Sequence, residues 1–199
     1  MPRYYGLSKL GNPDKNTIND GEKINIEFAG TLREEQKPVF NVSYKQIMDI
    51  GGAIISLKCG GGKTFLALFI LYKIMRKTII VVHKEFLMTQ WYDRICEFIP
   101  NAKIGKIQQN TIDIEGKDIV LAMVHSLSMK EYSEEIFKDF GFCIYDECHH
   151  MGAEIFSKCM PKIACKYSLG LSATPKRKDG MSKVFEWYLG NISYMSKDI

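Results

Sequence analysis

From about residue 51 the chain falls into a rhythm in which short apolar runs, rich in Ile and Val, alternate with longer helical patterns. The runs are AIISL (53–57), TIIVV (78–82), DIVLAM (118–123), FGFCIY (140–145) and YSLGL (167–171). Helix-like stretches follow the first two, over 64–76 and 85–99. In the second, Phe86, Leu87, Trp91, Ile95 and Phe98 fall at helical spacing. Strands that are continuously apolar are buried on both faces, which calls for a mainly parallel sheet with helices on each side. The pattern predicts an α/β fold. Ligands in such sheets bind beyond the carboxyl ends of the strands, so the informative residues should lie just after each run.

After AIISL comes Lys58-Cys59-Gly60-Gly61-Gly62-Lys63-Thr64. A glycine run ending in GKT, between a buried strand and a helix, is a phosphate-binding loop. Its backbone N–H groups close around phosphate oxygens, and the next helix adds its N-terminal donors and positive dipole end. Lys63 would reach the β- and γ-phosphates of a nucleotide and Thr64 would offer a hydroxyl to Mg²⁺. The strict pattern has Gly where this chain has Leu57. After FGFCIY come Asp146 and Glu147. A phosphate-loop protein needs a second acidic strand end to hold Mg²⁺ through water, the role that suits Asp146. Glu147 beside it suits polarisation of an attacking water. After YSLGL comes Ser172-Ala173-Thr174-Pro175, two hydroxyls stopped by a proline.

Zinc fits less well. Cys148, His149 and His150 are adjacent, whereas zinc ligands come as spaced pairs. Glu115-Gly116-Lys117, a nuclease-like E-x-K, lies in a polar, glycine-containing connection and reads as a turn.

Together LKCGGGKT, DECHH and LGLSATPKRKDG resemble the superfamily 2 helicases and translocases of the DExH type, in the order of their first RecA-like lobe. LREEQ (32–36) matches the family's L-R-x-x-Q element, VVHKEFLMTQW (81–91) its backbone-tracking motif, and IVLAMVHSL (119–127) its A-T-x-x-S-L strand end. LGLSATPKRKDGMSKVFEWYLGNISY is similar to the branch holding the translocase XPB and helicases of phages and large DNA viruses. The resemblance covers about 31–194. It implies a RecA-like P-loop NTPase domain over 31–199 behind a lead segment of residues 1–30, with ATP and Mg²⁺ as cofactors. It implies Arg33 and Gln36 near the adenine, Leu57, Lys58 and the rest of the loop to Thr64 on the phosphates, and Lys63, Asp146 and Glu147 as the catalytic set. His149, Ser172 and Thr174 would couple nucleotide state to lobe closure, and His150 would pack or couple rather than ligate. His83, Lys84, Ser126 and Arg177 would touch nucleic acid, DNA rather than RNA by branch.

The match departs from the family at three positions. Lys58 stands for a frequent Pro, Met123 for a usual Thr, and Lys178 for the Glu of an R-E-D element. That puts strand separation, though not ATP binding, in doubt. The family motor also has a second RecA-like lobe, whose motifs do not follow here. The expectation is therefore a helicase ATP hydrolase of low turnover alone, with a second lobe in cis or trans. Other readings are another P-loop enzyme, which leaves SATP and LREEQ unexplained, an RNA helicase lobe, and a noncatalytic nucleic-acid-binding module.

Composition sets outer bounds. At 199 residues, 46% hydrophobic and 25% charged, the chain has the make-up of one globular domain. Its longest apolar run, 65–72, is far short of the ~20 residues that cross a bilayer, so no membrane partner is expected. The six cysteines and the absence of a signal-type N-terminus point to reduced thiols in an intracellular setting, cytoplasm or nucleus, with a viral lean. The net charge of +4 permits a polyanionic partner without requiring one, and the basic residues of 158–178 read as a solvated face. The alternation of Ile24, Ile26 and Phe28 suggests a short edge strand, and the helical spacing of Trp91 suggests core packing rather than base stacking.

Overall fold

Runs of residues apolar on both faces need cover on both faces, and that requirement organises the whole molecule. The computed structural model describes residues 1–148, 153–173 and 182–196. Among them, β1 (Gly52–Ser56), β2 (Thr78–Val82), β3 (Ile104–Gln108), β4 (Thr111–Asp113), β5 (Ile119–Met123), β6 (Phe142–Tyr145), β7 (Tyr167–Ser172) and β8 (Ile192–Met195) form one sheet. Its order is β4-β3-β5-β2-β6-β7-β1-β8. Every pairing is parallel except the β3–β4 hairpin at one edge. The predicted α/β class and mainly parallel sheet are borne out.

Alternate residues of the same strands feed two separate cores. Ile55, Ile80, Val82, Ile144 and Leu169 pack under α2 (Gln36–Ile50), α3 (Lys63–Ile74) and α4 (Glu85–Phe98). Ile54, Ile79, Val81, Cys143 and Tyr145 pack under α5 (Val124–Met129), α6 (Ala153–Cys159) and α7 (Ser182–Leu189). In α4 the buried stripe is Met88, Trp91 and Ile95. Phe86 lies outside it and is 56% exposed, with the Lys84 ammonium 5.8 Å from its ring centroid.

The alternating segment 24–28 is not an edge strand. Its one ladder contact is an isolated bridge from Lys23 to Arg76. Its backbone instead meets helix ends: the N–H of Ile24 donates to the Met75 carbonyl and that of Ala29 to the Phe98 carbonyl. These are acceptors that a helix C-terminus leaves open. Phe28 enters a cluster with Phe65, Phe69, Tyr72 and Phe98, at centroid distances of 5.2–6.0 Å. Ile26 is buried beside it, which contributes on the order of 1.5–3 kcal/mol. The period-2 pattern is real, but it faces helices rather than a neighbouring strand.

Earlier in the chain, α1 (Arg3–Leu10) lies at the amino-terminal ends of the strands. Arg3 Nη1 donates to the Lys166 carbonyl at 2.7 Å, and the Tyr4 hydroxyl pairs with Ser168 Oγ at 3.0 Å. Farther on, Gly21 and Gly141 touch so closely that a Cβ on Gly21 would lie 2.2 Å from the Gly141 nitrogen. This base leaves the carboxyl edge of the sheet, where β1, β6 and β7 end side by side with only β7 between the other two, open for chemistry.

Candidate functional site

At the carboxyl edge, the Leu57 N–H donates to the Ser172 carbonyl at 3.0 Å, tying the end of β1 to that of β7. The chain then turns through 58–62, with the Gly61 N–H on the Lys58 carbonyl, and Gly62 at φ +78° starts α3. At Gly62 the φ of +78° favours glycine, and a Cβ would stand 2.4 Å from the Gln36 Nε2 that packs against the loop. Gln36 itself is buried and its Oε1 accepts the Arg33 N–H at 3.0 Å. Residues 33–36 are thus folded directly against the glycine loop.

Lys63 is buried at the head of α3. Its Nζ donates to the Leu57 carbonyl at 3.0 Å and lies 3.4 Å from Glu147 Oε1. Glu147 holds a left-handed backbone, φ +48°, which is uncommon for a residue with a side chain and collects at functional positions. Its Oε2 accepts the Ala173 N–H at 3.2 Å. The ends of β1, β6 and β7 are therefore knitted by one lysine, one carboxylate and one backbone bond.

Asp146 is buried one residue earlier, its N–H on the Val81 carbonyl. The indole N–H of Trp91 donates to its Oδ2 at 2.8 Å. Burial pushes the Asp146 pKa up. Trp91 opposes this, Glu147 adds to it, and Lys63 and the Glu147 backbone N–H oppose it, leaving it above the ordinary value.

These groups border one cleft of about 580 Å³. Arg33, Gln36, Cys59, Gly60, Gly62, Lys63, Thr64, Asp146 and Glu147, all singled out by sequence, line it. Leu57 is buried and turns its carbonyl to Lys63, and Lys58 is exposed on the loop. Ser172 is buried and acts on Leu57 through its carbonyl. Sequence reasoning missed the far wall, where Gln90 and Arg94 of α4 join Phe65 and Phe98. The available signal was a polar pair four residues apart flanking a buried Trp. Trp91 is in the core as predicted, but its partner was not foreseen.

Three of the predicted nucleic-acid contacts, His83, Lys84 and Ser126, lie along the same edge, beyond β6. His83 is partly buried and Lys84 exposed just after β2. Ser126, in α5 after β5, accepts the Gln109 N–H on its hydroxyl at 2.9 Å and so braces the β3–β4 turn. His149, His150, Thr174 and Arg177 lie outside the described residues.

Residues 29–177 match the family described as the res subunit of type III restriction enzymes. The chain belongs to this family. A candidate ATP-dependent RNA helicase of Acanthamoeba polyphaga mimivirus, L396, is 41% identical over 199 residues, covering 99% of this chain and 38% of the relative. The DNA 3'-5' translocase XPB2 of Sulfurisphaera tokodaii is 34% identical over 192 residues, covering 96% of this chain and 42% of the relative. The chain thus spans less than half the length of these relatives. Among solved structures, the Sulfolobus solfataricus SWI2/SNF2 ATPase core in complex with dsDNA has the same fold. Its TM-score is 0.67 at 17% identity, over 85% of this chain and 37% of that one. By family and fold this is a first RecA-like lobe of superfamily 2, in the viral and XPB-like group. Among its described residues no helix is long and apolar enough to cross a membrane.

Proposed function

We propose that this lobe binds ATP with magnesium and forms the nucleotide-binding half of a motor that moves along or separates nucleic acid, DNA being the favoured track. The observation that carries this is the convergence of Lys63, Asp146 and Glu147 on one cleft at the carboxyl edge, with Arg33 and Gln36 against the glycine loop. Gly60, Gly61 and Gly62 receive phosphate oxygens on backbone N–H groups, and Lys63 swings from Glu147 to the terminal phosphates. Thr64 and Asp146 offer a hydroxyl and a carboxylate, hard oxygen donors of the kind magnesium takes. Bound there, magnesium would neutralise charge on the β- and γ-phosphates. Glu147, once released by Lys63, orients the attacking water and accepts its proton. Ser172, Thr174 and His149 relay nucleotide state to lobe closure.

A facing lobe, in cis or trans, would supply arginines to the same cleft. Such a residue is worth about 10³–10⁵ in rate in related P-loop enzymes, so this chain alone should bind nucleotide and turn it over slowly. His83, Lys84, Ser126 and Arg177 would grip the nucleic-acid backbone. The name of the S. tokodaii relative and the duplex in the S. solfataricus complex support DNA. The name of the mimivirus relative supports RNA as the second reading, and its source supports a viral, intracellular setting.

The deciding experiment is calorimetry of Mg-ATP against this chain, with turnover followed with and without duplex DNA and duplex RNA. Magnesium-dependent binding with slow turnover is the expected result. Absence of binding at millimolar ATP would favour a module that works without nucleotide. Nucleic-acid affinity should be indifferent to sequence and fall about tenfold or more between ~50 and ~200 mM salt, since backbone contacts act by counterion release. A salt-insensitive complex would remove the proposed grip.

The cysteines give an independent check. Cys59 and Cys96 are exposed, whereas Cys143, Cys148, Cys159 and Cys165 are buried. A thiol reagent on the native chain should label the first two rapidly, read by intact mass. Saturating Mg-ATP should then shield Cys59, which lines the cleft, and leave Cys96 reactive. Equal labelling of Cys59 with and without nucleotide would count against the site.

A further inference from the structure

Trp91 is 1% exposed in α4, between the buried Met88 and Ile95. Its indole N–H donates to Asp146 Oδ2 at 2.8 Å, across 55 positions of sequence. We infer that Trp91 is a positioning residue for the nucleotide site, fixing the rotation of the Asp146 carboxylate so that its remaining acceptor capacity faces the cleft shared with Thr64. The inference rests on the reading of Asp146 as the carboxylate that holds magnesium.

Asp146 borders two spaces. One is the cleft with Lys63 and Glu147. The other, of about 410 Å³, is bordered by Thr64 and by Gln90, Arg94 and Glu97 of α4. Arg94 Nη1 is paired with Glu97 Oε2 at 2.6 Å, but it is a cation bordering the same space as Asp146. A carboxylate free to rotate could turn to that guanidinium. An indole N–H is a donor that never accepts and does not titrate in water, and the ring is buried in the core. It therefore occupies one defined lone pair of Oδ2 whatever else binds. Residues that orient a metal-holding carboxylate without touching the metal typically alter metal affinity or activity by 10–100-fold when removed.

The test is Trp91→Phe, which keeps a ring and loses the N–H. ATP binding is measured by calorimetry with magnesium and with EDTA. The variant should leave ATP affinity in EDTA unchanged and lower the magnesium-dependent gain by about 10–100-fold. In an Asp146→Asn background the same change should add nothing further, because the two groups act as one unit. A residue that only packs would lower thermal stability and leave the magnesium-dependent gain intact, and that result overturns the inference. Wild-type chain that binds ATP equally with and without magnesium would instead overturn the magnesium reading itself, and this inference with it. Should Trp91→Phe fail to fold, Trp187→Phe leaves Trp91 as the sole indole. Its N–H resonance should then shift with AMP-PNP and magnesium but not with AMP-PNP in EDTA. An unmoved resonance at saturation also overturns the assignment.

Discussion

Lys63→Ala is expected to abolish measurable Mg-ATP binding, weakening it by about a hundredfold or more, about 2.7 kcal/mol. Lys63 is the buried cation of the cleft, and its Nζ lies 3.4 Å from Glu147 Oε1. Without it two carboxylates, Asp146 and Glu147, face the space proposed for a polyphosphate. Arg33, another cation bordering the cleft, is already engaged with Glu35 at 3.3 Å. Hydrogen bonds to charged groups contribute about 1.5–3 kcal/mol each, and the variant adds repulsion to that loss. The fold should survive, because Glu147 keeps partial access to water and its bond from Ala173. Calorimetry beside a thermal melt separates the two effects. Lys63→Ala that still binds Mg-ATP as wild type would remove the central element of the proposed site.

Gly52→Ala is expected to be strongly destabilising at the base of the sheet. A Cβ there would lie 2.2 Å from the Leu189 carbonyl, 2.3 Å from the Tyr4 hydroxyl and 2.4 Å from Ser168 Oγ. None of the three is a loose side-chain end. Ser168 donates to the Leu189 carbonyl at 3.1 Å and pairs with Tyr4 at 3.0 Å. The added methyl must therefore part α1, α7 and β1 together. Overpacking a filled interior costs about 1–3 kcal/mol and sometimes more, so a fall of about 2–12 °C in Tm is expected for a chain of this size. Gly60→Ala is the control, since a Cβ there meets nothing within 4 Å and the cost is the φ of +78° alone. A Gly52→Ala chain that melts with wild type would mean that these elements are less tightly packed than their distances imply.

The sequence announced whatever was buried on two sides. TIIVV at 78–82 is β2 residue for residue, because a strand covered on both faces is buried to its ends, Thr78 included. The glycine loop, Asp146 and Glu147 were legible for a related reason, since their chemistry demands particular residues directly after such strands. Half-covered elements were not legible. β3 buries only Gly105 and Ile107, and β4 buries nothing. The stripe of α2, Val39, Ser43 and Ile47, is interrupted by a serine whose hydroxyl pairs with Ser193 Oγ at 2.8 Å. Periodicity also reports that a residue is covered, not by what. It put Trp91 in the core and could not reveal that the core there contains Asp146.

The clasp formed by residues 1–29 decides where cargo can be hung on this lobe. It is riveted at the base through Arg3 and Tyr4, again where Gly21 meets Gly141, and finally through Phe28 among the rings of α3 and α4. A dye, affinity handle or fusion partner joined ahead of Met1 is therefore mounted on the face opposite the phosphate loop. A handle placed after a cut at residue 29 would hang from an opened aromatic cluster directly behind Phe65, whose ring also borders the cleft. The first attachment reports on the lobe from outside its cleft, while the second alters the cleft it is meant to watch.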